Sequence, residues 1–108
     1  MNCYTVILTQ SAKEDILNRE KYILNNFKYR ELAINYSRKM KKAINGLSIM
    51  PSGYESTGFI YRGYSICFKP FQTYLIFFTV NDILKTVTVL RVLQDGQNWK
   101  YIIKQWLS

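Results

Sequence analysis

Apolar residues recur every three or four positions over two consecutive stretches in the first half of the chain, which is the spacing of amphipathic helices. The first of these helices should follow a short strand, Tyr4–Leu8, and run from Ser11 to about Asn26. Ser11 and Glu14 have the spacing of a capping box at the start of a helix. Asp15 adds a negative charge there, which the partial positive charge of a helix N-terminus favours. The predicted apolar stripe comprises Ile16, Leu17, Ile23, Leu24 and Phe27.

A second helix is predicted from about Arg30 to Leu47, because its apolar residues keep helical spacing throughout. These residues are Leu32, Ala33, Tyr36, Met40, Ala43, Ile44 and Leu47. The link between the two helices is so short that they should form an antiparallel hairpin. The opposite face is basic and carries Arg38, Lys39, Lys41 and Lys42. Such a cluster is either a solvated helix face or a ridge that contacts phosphate groups.

The second half of the chain has the pattern of β-strands. Three segments, Phe59–Phe68, Thr73–Val80 and Thr86–Leu93, predict strands that short links join as antiparallel hairpins, with Thr73–Val80 in the centre. Asn98 can cap a last helix. The apolar side of that helix holds Trp99, Ile102, Ile103 and Trp106. The predicted fold is a single α+β domain over residues 1–108 in the order β-α-α-β-β-β-α. It has a small antiparallel sheet, an N-terminal helical hairpin and a C-terminal helix.

Arg91 interrupts the last predicted strand, where apolar residues occupy both faces. A charge within such a segment must either be paired or face a groove, because an isolated buried charge is very costly. The alternative is an arginine at the margin of the sheet, with a packed stem and its guanidinium in water. The pattern alone leaves both interpretations open.

The chain is strongly basic, with a net charge of +8 over 108 residues. The charge is uneven, because residues 32–108 hold ten basic and three acidic residues, a net charge of +7. A small basic domain is expected to meet an anionic partner, which is nucleic acid, a membrane surface or an acidic protein. The alternative is a charge that serves only solubility.

Several classes of chemistry lack their usual residues. The chain has no histidine, the commonest general base and zinc ligand, and its two cysteines, Cys3 and Cys67, are too few for a four-cysteine metal site. It has no phosphate-binding glycine loop, dinucleotide fingerprint or nucleophile elbow. The longest apolar run, Tyr74–Phe78, is too short to cross a membrane. We therefore expect a cytoplasmic protein with reduced thiols and no metal, cofactor or membrane contact.

Four features in this order resemble the RelE/ParE superfamily of bacterial toxins. They are a capped helix after Tyr4–Leu8, a hydrophobic hairpin closing at Met50 and Pro51, the segment Arg62–Phe68, and the segment Val89–Gly96. Within the last of these, Leu90-Arg91-Val92-Leu93 resembles the last-strand signature of the ParE-like, plasmid-stabilisation branch. The resemblance implies the toxin of a type II toxin–antitoxin module, neutralised by an acidic antitoxin.

The superfamily contains two activities, inhibition of DNA gyrase by binding and ribosome-dependent cleavage of messenger RNA. The nuclease branch typically has an arginine after a Gly-Tyr pair, where this chain has Ser65, and a basic residue or histidine where Gln94 and Asp95 stand. These departures favour gyrase binding. The alternatives are a metal-independent endoribonuclease and a non-toxic basic nucleic-acid-binding module.

The residues expected to carry either activity form two sets. The catalytic set of a nuclease would be Arg62, Arg91 and Tyr101. The set expected to contact nucleic acid or a protein partner is Arg38, Lys39, Lys41, Lys42, Lys69, Tyr64 and Gln94.

Overall fold

Three helices and five strands make up the fold in the computed structural model, which describes residues 3–27 and 29–108. The helices are α1 (Gln10–Phe27), α2 (Arg30–Asn45) and α3 (Trp99–Leu107). The strands are β1 (Thr5–Leu8), β2 (Glu55–Tyr61), β3 (Tyr64–Phe71), β4 (Tyr74–Asn81) and β5 (Thr86–Gln94). Two short 3-10 turns, Gly46–Ser48 and Pro51–Gly53, connect α2 to β2.

The strands form one mixed sheet in the order β1-β5-β4-β3-β2. Sequential neighbours from β2 to β5 pair antiparallel, as their short links predict, and β4 lies in the centre with every residue from Tyr74 to Thr79 buried. β1 differs, because it pairs parallel with β5 from Thr5 to Leu8. The helical hairpin leads from β1, at one edge of the sheet, to β2, at the opposite edge. The α+β class predicted from the sequence is confirmed.

The segment predicted as one strand, Phe59–Phe68, is a hairpin. Arg62 and Gly63 have φ angles of 51° and 88°, and positive φ at both central residues is the signature of a type I′ turn. Such a turn matches the twist of the flanking strands, so it joins β2 and β3 tightly. The β2–β3 register shifts between Ser56 and Ile60, around Gly58, whose φ is 87°. β2 therefore begins earlier than predicted, at Glu55.

Two hydrophobic cores lie on the two faces of the sheet. α1 and α2 cover one face, where their buried side chains meet alternate residues of the central strands, among them Ile76, Phe78 and Val89. α3 covers part of the other face, where Ile103 packs with Phe77 and Leu90. The Asn98 Oδ1 accepts from the Tyr101 N–H at 3.4 Å, which confirms the predicted cap of α3.

α1 begins differently from the prediction. The Ala12 N–H donates to the Thr9 Oγ1 at 3.1 Å, so Thr9 is the capping residue and the capping box predicted at Ser11 and Glu14 is wrong. Ser11 already lies within the helix, where its Oγ accepts from the Trp106 Nε1 at 3.0 Å. That bond joins the start of α1 to the end of α3.

The apolar stripe of α2 is confirmed except at one end. Tyr36, Met40 and Ile44 are buried, but Leu32 is exposed. On α1 only part of the predicted stripe is buried, because Leu17, Leu24 and Phe27 are exposed as well. Most of these exposed residues lie towards the turn of the helical hairpin. The hairpin therefore presents apolar surface to solvent.

Candidate functional site

Arg91 is bound to a helix. Its Nε donates to the Asp15 Oδ2 at 2.7 Å and its Nη2 donates to the Asp15 Oδ1 at 2.8 Å, which is the bidentate geometry of a strong charge-assisted pair. The two side chains are 18% and 14% exposed. Arg91 therefore fastens β5 to α1, and of the two interpretations left open by the sequence, pairing is the one observed.

The same carboxylate also closes the edge of the sheet. β1 pairs with β5 only as far as Val89, so beyond Val89 the side of β5 that faces away from β4 has no strand beside it among the described residues. Three side chains occupy that edge instead. The Thr9 Oγ1 donates to the Leu90 carbonyl at 2.7 Å, the Val92 N–H donates to Asp15 at 3.0 Å, and the Gln94 N–H donates to the Gln97 Oε1 at 2.9 Å. Side chains thus satisfy backbone groups that an edge strand would otherwise leave open.

Replacing Asp15 by alanine is expected to lower the free energy of unfolding by about 2 kcal/mol. The change leaves a half-buried guanidinium and the Val92 N–H without their acceptor, and the partial exposure of the pair keeps the loss below that of a fully buried one. Urea unfolding of the two single variants and of the double variant with Arg91→Ala would measure the coupling. Glu14→Ala, on the exposed side of the same turn, is the control. Purely additive effects of the two changes would contradict an energetic role for this pair.

Arg62 and Tyr64 lie beside an open groove, on the same face of the sheet as α3 but outside the part that α3 covers. The groove has a volume of about 500 Å³. Its lining consists of strand residues and turn residues, namely Ile7, Leu8, Thr9, Tyr61, Arg62, Tyr64, Thr79, Asn81, Leu84, Thr86 and Thr88. The Tyr64 Oη accepts from the Asn81 Nδ2 at 2.8 Å, and the Arg62 guanidinium lies 5.1 Å from the centre of the Tyr61 ring. We call this cavity the sheet groove.

The three residues predicted to be catalytic do not form one site. Arg91 is at the α1 edge of the sheet, Arg62 is in the β2–β3 turn, and Tyr101 is on α3 with a side chain that is 60% exposed. A general base and a phosphate-stabilising cation must reach the same reacting group. The structure does not bring this set together.

The basic residues predicted to contact a partner divide into two groups. Lys39, Lys42 and Lys69 line a cavity of about 280 Å³ beside the β3–β4 turn. Within it the Lys69 Nζ donates to the Ala43 carbonyl at 2.8 Å, so this lysine closes the end of α2. A β-carbon added at Gly46 would lie 3.1 Å from the same Nζ, so a larger residue there would require the lysine to shift slightly.

Arg38 and Lys41 line the outer groove between α1 and α2 instead. Two adjoining cavities of about 440 and 350 Å³ form this helix groove, and they share Glu20 and Lys41. Exposed apolar side chains, Leu17, Leu24 and Ile34, lie in its walls. Apolar walls with cations at the rim form a surface that suits an amphipathic segment with acidic flanks.

Gln94, the remaining predicted contact residue, lies in a cavity of about 270 Å³ between α1 and the edge of β5. The other polar residues of that cavity do not stand out as a group in the sequence. They include Arg19, Tyr22, Tyr36 and Tyr74. One signal was available, because Asp15, Arg19 and Tyr22 are four and three residues apart and so share a face of α1.

Burial holds two titratable groups in their protonated forms. It raises the pKa of the Tyr36 hydroxyl, to which the neighbouring Tyr74 also contributes, and it raises the pKa of the Cys67 thiol. Cys67 packs beside the helix-side core, whereas Cys3 is exposed. A phenol or a thiol that keeps its own proton is not suited to accept another one near neutral pH.

The described residues contain neither a candidate metal site nor a candidate membrane-spanning helix. No group of three or more cysteine, aspartate or glutamate side chains among them could hold a metal ion. No helix in the same part of the chain combines the length and the apolar character that spanning a membrane requires.

Comparison with known proteins identifies the fold and the family. A family model described as the ParE toxin of the type II toxin–antitoxin system parDE matches residues 6–99. No curated protein gives a significant sequence match.

Three solved structures that share the fold come from toxin–antitoxin systems. A chain of the chromosomal ParDE system from P. aeruginosa is 13% identical, with a TM-score of 0.66 over 87% of this chain and 98% of that chain. A chain of the RelBE2 complex from Mycobacterium tuberculosis is 21% identical, with a TM-score of 0.58 over 90% of this chain and 97% of that one. A chain of the archaeal RelE–RelB complex from Pyrococcus horikoshii OT3 is 15% identical, with a TM-score of 0.57 over 90% of this chain and 99% of that chain.

Proposed function

We propose, because this chain belongs to the ParE toxin family of type II toxin–antitoxin systems, that it arrests bacterial growth by binding DNA gyrase and inhibiting it, without cleaving RNA. One observation carries the proposal. The arginine that would best support cleavage, Arg91, is engaged by Asp15, and Arg62 and Tyr101 lie in two other parts of the fold. A toxin that acts by binding requires no such constellation.

The chemistry of cleavage supports the same proposal. Attack by a 2′-hydroxyl on a phosphate needs a group that accepts a proton and a cation that stabilises the extra negative charge. Asp15 neutralises the Arg91 guanidinium, so its field at a phosphate is reduced. After histidine, which this chain lacks, carboxylates are the commonest general bases, and a carboxylate repels the phosphate that it must approach.

The sheet groove supplies a surface for a large partner. It combines tyrosine rings with one arginine and a row of threonines, and the strongly exposed Ile83 and Leu84 lie at the adjoining β4–β5 turn. Aromatic and arginine side chains are enriched where proteins bind one another. We propose that gyrase contacts this end of the molecule.

The test is a gyrase supercoiling assay run beside a codon-resolved cleavage assay on translating ribosomes. The expected result is inhibition of supercoiling with intact messenger RNA. Arg62→Gln is expected to weaken inhibition about tenfold or more, because loss of a hot-spot arginine from an interface costs about 2 kcal/mol or more and about 1.4 kcal/mol is already tenfold. Lys21→Gln, an exposed change on α1, is the control and should inhibit like the parent. Ribosome-dependent cuts with unaffected gyrase would overturn the proposed mechanism and leave the family unchanged.

An acidic antitoxin is the proposed second partner. The three solved structures described above come from toxin–antitoxin systems, and this chain carries a net charge of +7 over residues 32–108. The helix groove offers apolar walls between basic residues, so we propose that an amphipathic acidic segment of the antitoxin occupies it.

Association with that antitoxin should slow as salt is added. Complementary charges steer the encounter, and screening removes most of their effect beyond about 10 Å at 0.1 M salt. Stopped-flow measurements from 50 to 500 mM sodium chloride are expected to show a fall in association rate of about tenfold or more. Lys41→Gln should reduce both the rate and its salt dependence, whereas Lys104→Gln on α3 should change neither. An association rate independent of salt would contradict electrostatic steering.

A further inference from the structure

The cavity between α1 and the edge of β5 contains one cation, Arg19, that has no counter-ion among the described residues. The Arg19 Nε donates to the Tyr74 Oη at 2.8 Å. Its guanidinium carbon lies 4.5 Å from the centre of the Tyr22 ring and 5.7 Å from that of Tyr74. Within residues 3–27 and 29–108, no carboxylate lies within 4.0 Å of Arg19. The ring contacts and the hydroxyl fix the direction of this arginine, so its remaining N–H groups are held in place for an acceptor.

Tyr36 provides the second observation. Its side chain lines the same cavity and is only 9% exposed, yet its hydroxyl has no hydrogen-bond partner among the described residues. Its ring lies 5.3 Å from that of Tyr74, so this buried hydroxyl is close to the aromatic group that holds Arg19. Buried hydroxyl groups are nearly always hydrogen-bonded, and an exception in a cavity wall points to a group that is supplied from outside.

The charge of the cavity favours an anion. Asp15 and Arg91 also line it, but they neutralise each other through two hydrogen bonds. The Asp15 carboxylate is further occupied by the Val92 N–H. Arg19 therefore leaves the lining with a net positive charge, beside a phenol that keeps its proton and can donate it in a hydrogen bond.

Size and position decide what kind of anion fits. A volume of about 270 Å³ lies below the range of roughly 300–1,000 Å³ that small-molecule sites usually have, so a single side chain fits better than a nucleotide. The neighbouring edge of β5 is closed by Thr9, Asp15 and Gln97. A peptide at this place would therefore insert a side chain and would not add a strand.

We propose that this cavity, which we call the Arg19 pocket, receives one glutamate or aspartate side chain of the acidic antitoxin. The carboxylate accepts hydrogen bonds from the Arg19 guanidinium and from the Tyr36 hydroxyl. This inference deepens the antitoxin part of the proposed function and rests on it. The pocket lies between α1 and β5, so it is a contact in addition to the helix groove.

The test uses the whole toxin and a small carboxylate as probe. N-acetyl-L-glutamic acid α-amide is titrated into isotope-labelled protein while the Arg19 Nε–H and the Tyr36 and Tyr74 ring resonances are followed by NMR. A saturable shift is expected with this probe and none with its neutral glutamine counterpart. Arg19→Gln should abolish the shift, and Tyr36→Phe should weaken binding several-fold. Lys104→Gln, a change at an exposed lysine on α3, should leave the titration unchanged. Thermal melting checks that each variant is folded.

Three results would overturn the proposal. The first is no saturable shift with the carboxylate probe, and the second is an equal response to the neutral probe. The third is saturable binding of inorganic phosphate in place of the carboxylate. Gyrase inhibition is measured in parallel and should be unchanged in Arg19→Gln. A toxin that binds the carboxylate but leaves gyrase active would refute the proposed target and leave the pocket intact.

Discussion

Replacing Phe77 by alanine is expected to lower the free energy of unfolding by about 3–5 kcal/mol, which is the usual range for a large aromatic side chain in a core. Phe77 is 0% exposed in the centre of β4. Its ring lies 5.4 Å from that of Trp99 on α3 and 6.2 Å from that of Phe68 on β3. The change would therefore open a cavity where the sheet meets α3.

The matched control is Ile83→Ala, since Ile83 is also a large apolar residue but is 92% exposed at the β4–β5 turn. Its removal should change the free energy of unfolding by no more than about 0.5 kcal/mol. Urea unfolding followed by tryptophan fluorescence and circular dichroism would measure both. Domains of this size are stable by roughly 5–15 kcal/mol, so Phe77→Ala could leave little margin. Similar small losses from the two changes would show that the α3 side of the sheet is loosely packed.

Met40→Ala is expected to cost about 2–4 kcal/mol, because Met40 is 0% exposed in the middle of α2 and faces the core under the helices. Lys41 is the next residue along the helix and is exposed at the rim of the helix groove. Lys41→Ala should cost only a few tenths of a kcal/mol, since alanine is also a good helix former.

Chemical denaturation of the two variants tests the orientation of α2 directly. Residues one position apart are separated by about 100° around a helix, so the two substitutions sample different faces of the same turn. Large loss at Met40 with little loss at Lys41 is the expected result. Equal losses would mean that α2 is rotated from the orientation described here.

α2 was the element that the sequence predicted best, because its apolar spacing is regular and the helix lies along the core. α1 was predicted less well. Its stripe continues past the buried Ile23 to Leu24 and Phe27, which are exposed near the hairpin turn. Periodicity reports which side of a helix is apolar, but not how much of its length another layer covers.

The strand pattern had a similar limit. Tyr61, Arg62 and Gly63 read as part of one extended segment, yet the chain turns there because two consecutive residues take positive φ. Gly63 was the available signal. The parallel pairing of β1 with β5 could not be predicted from the sequence, because the residues of a four-residue strand do not specify which distant strand it pairs with.

The candidate site was the least predictable part. The sequence marked Arg91 as unusual, but its partner Asp15 is 76 residues away and was assigned to the helix dipole. The Arg19 pocket depends on the way α1 crosses the edge of β5. Residues such as Tyr36 and Tyr74 read as ordinary core residues until that crossing is known.

The parallel pair of β1 and β5 also sets the timing of folding. The bond between the Thr9 Oγ1 and the Leu90 carbonyl spans 81 residues, and the loop between its ends contains the whole helical hairpin and three strands. A contact of such long range slows folding, because the chain must close the loop before the contact contributes energy. Synthesis at roughly 5–20 residues per second separates the two ends by about 4–16 s. During that interval β1 has no strand to join, and α1 lacks both Arg91 and the edge of β5. A ribosome that has not yet reached β5 therefore carries no assembled toxin, and the Arg19 pocket, whose wall includes Arg91 and Val92 of β5, is complete only once β5 has been made.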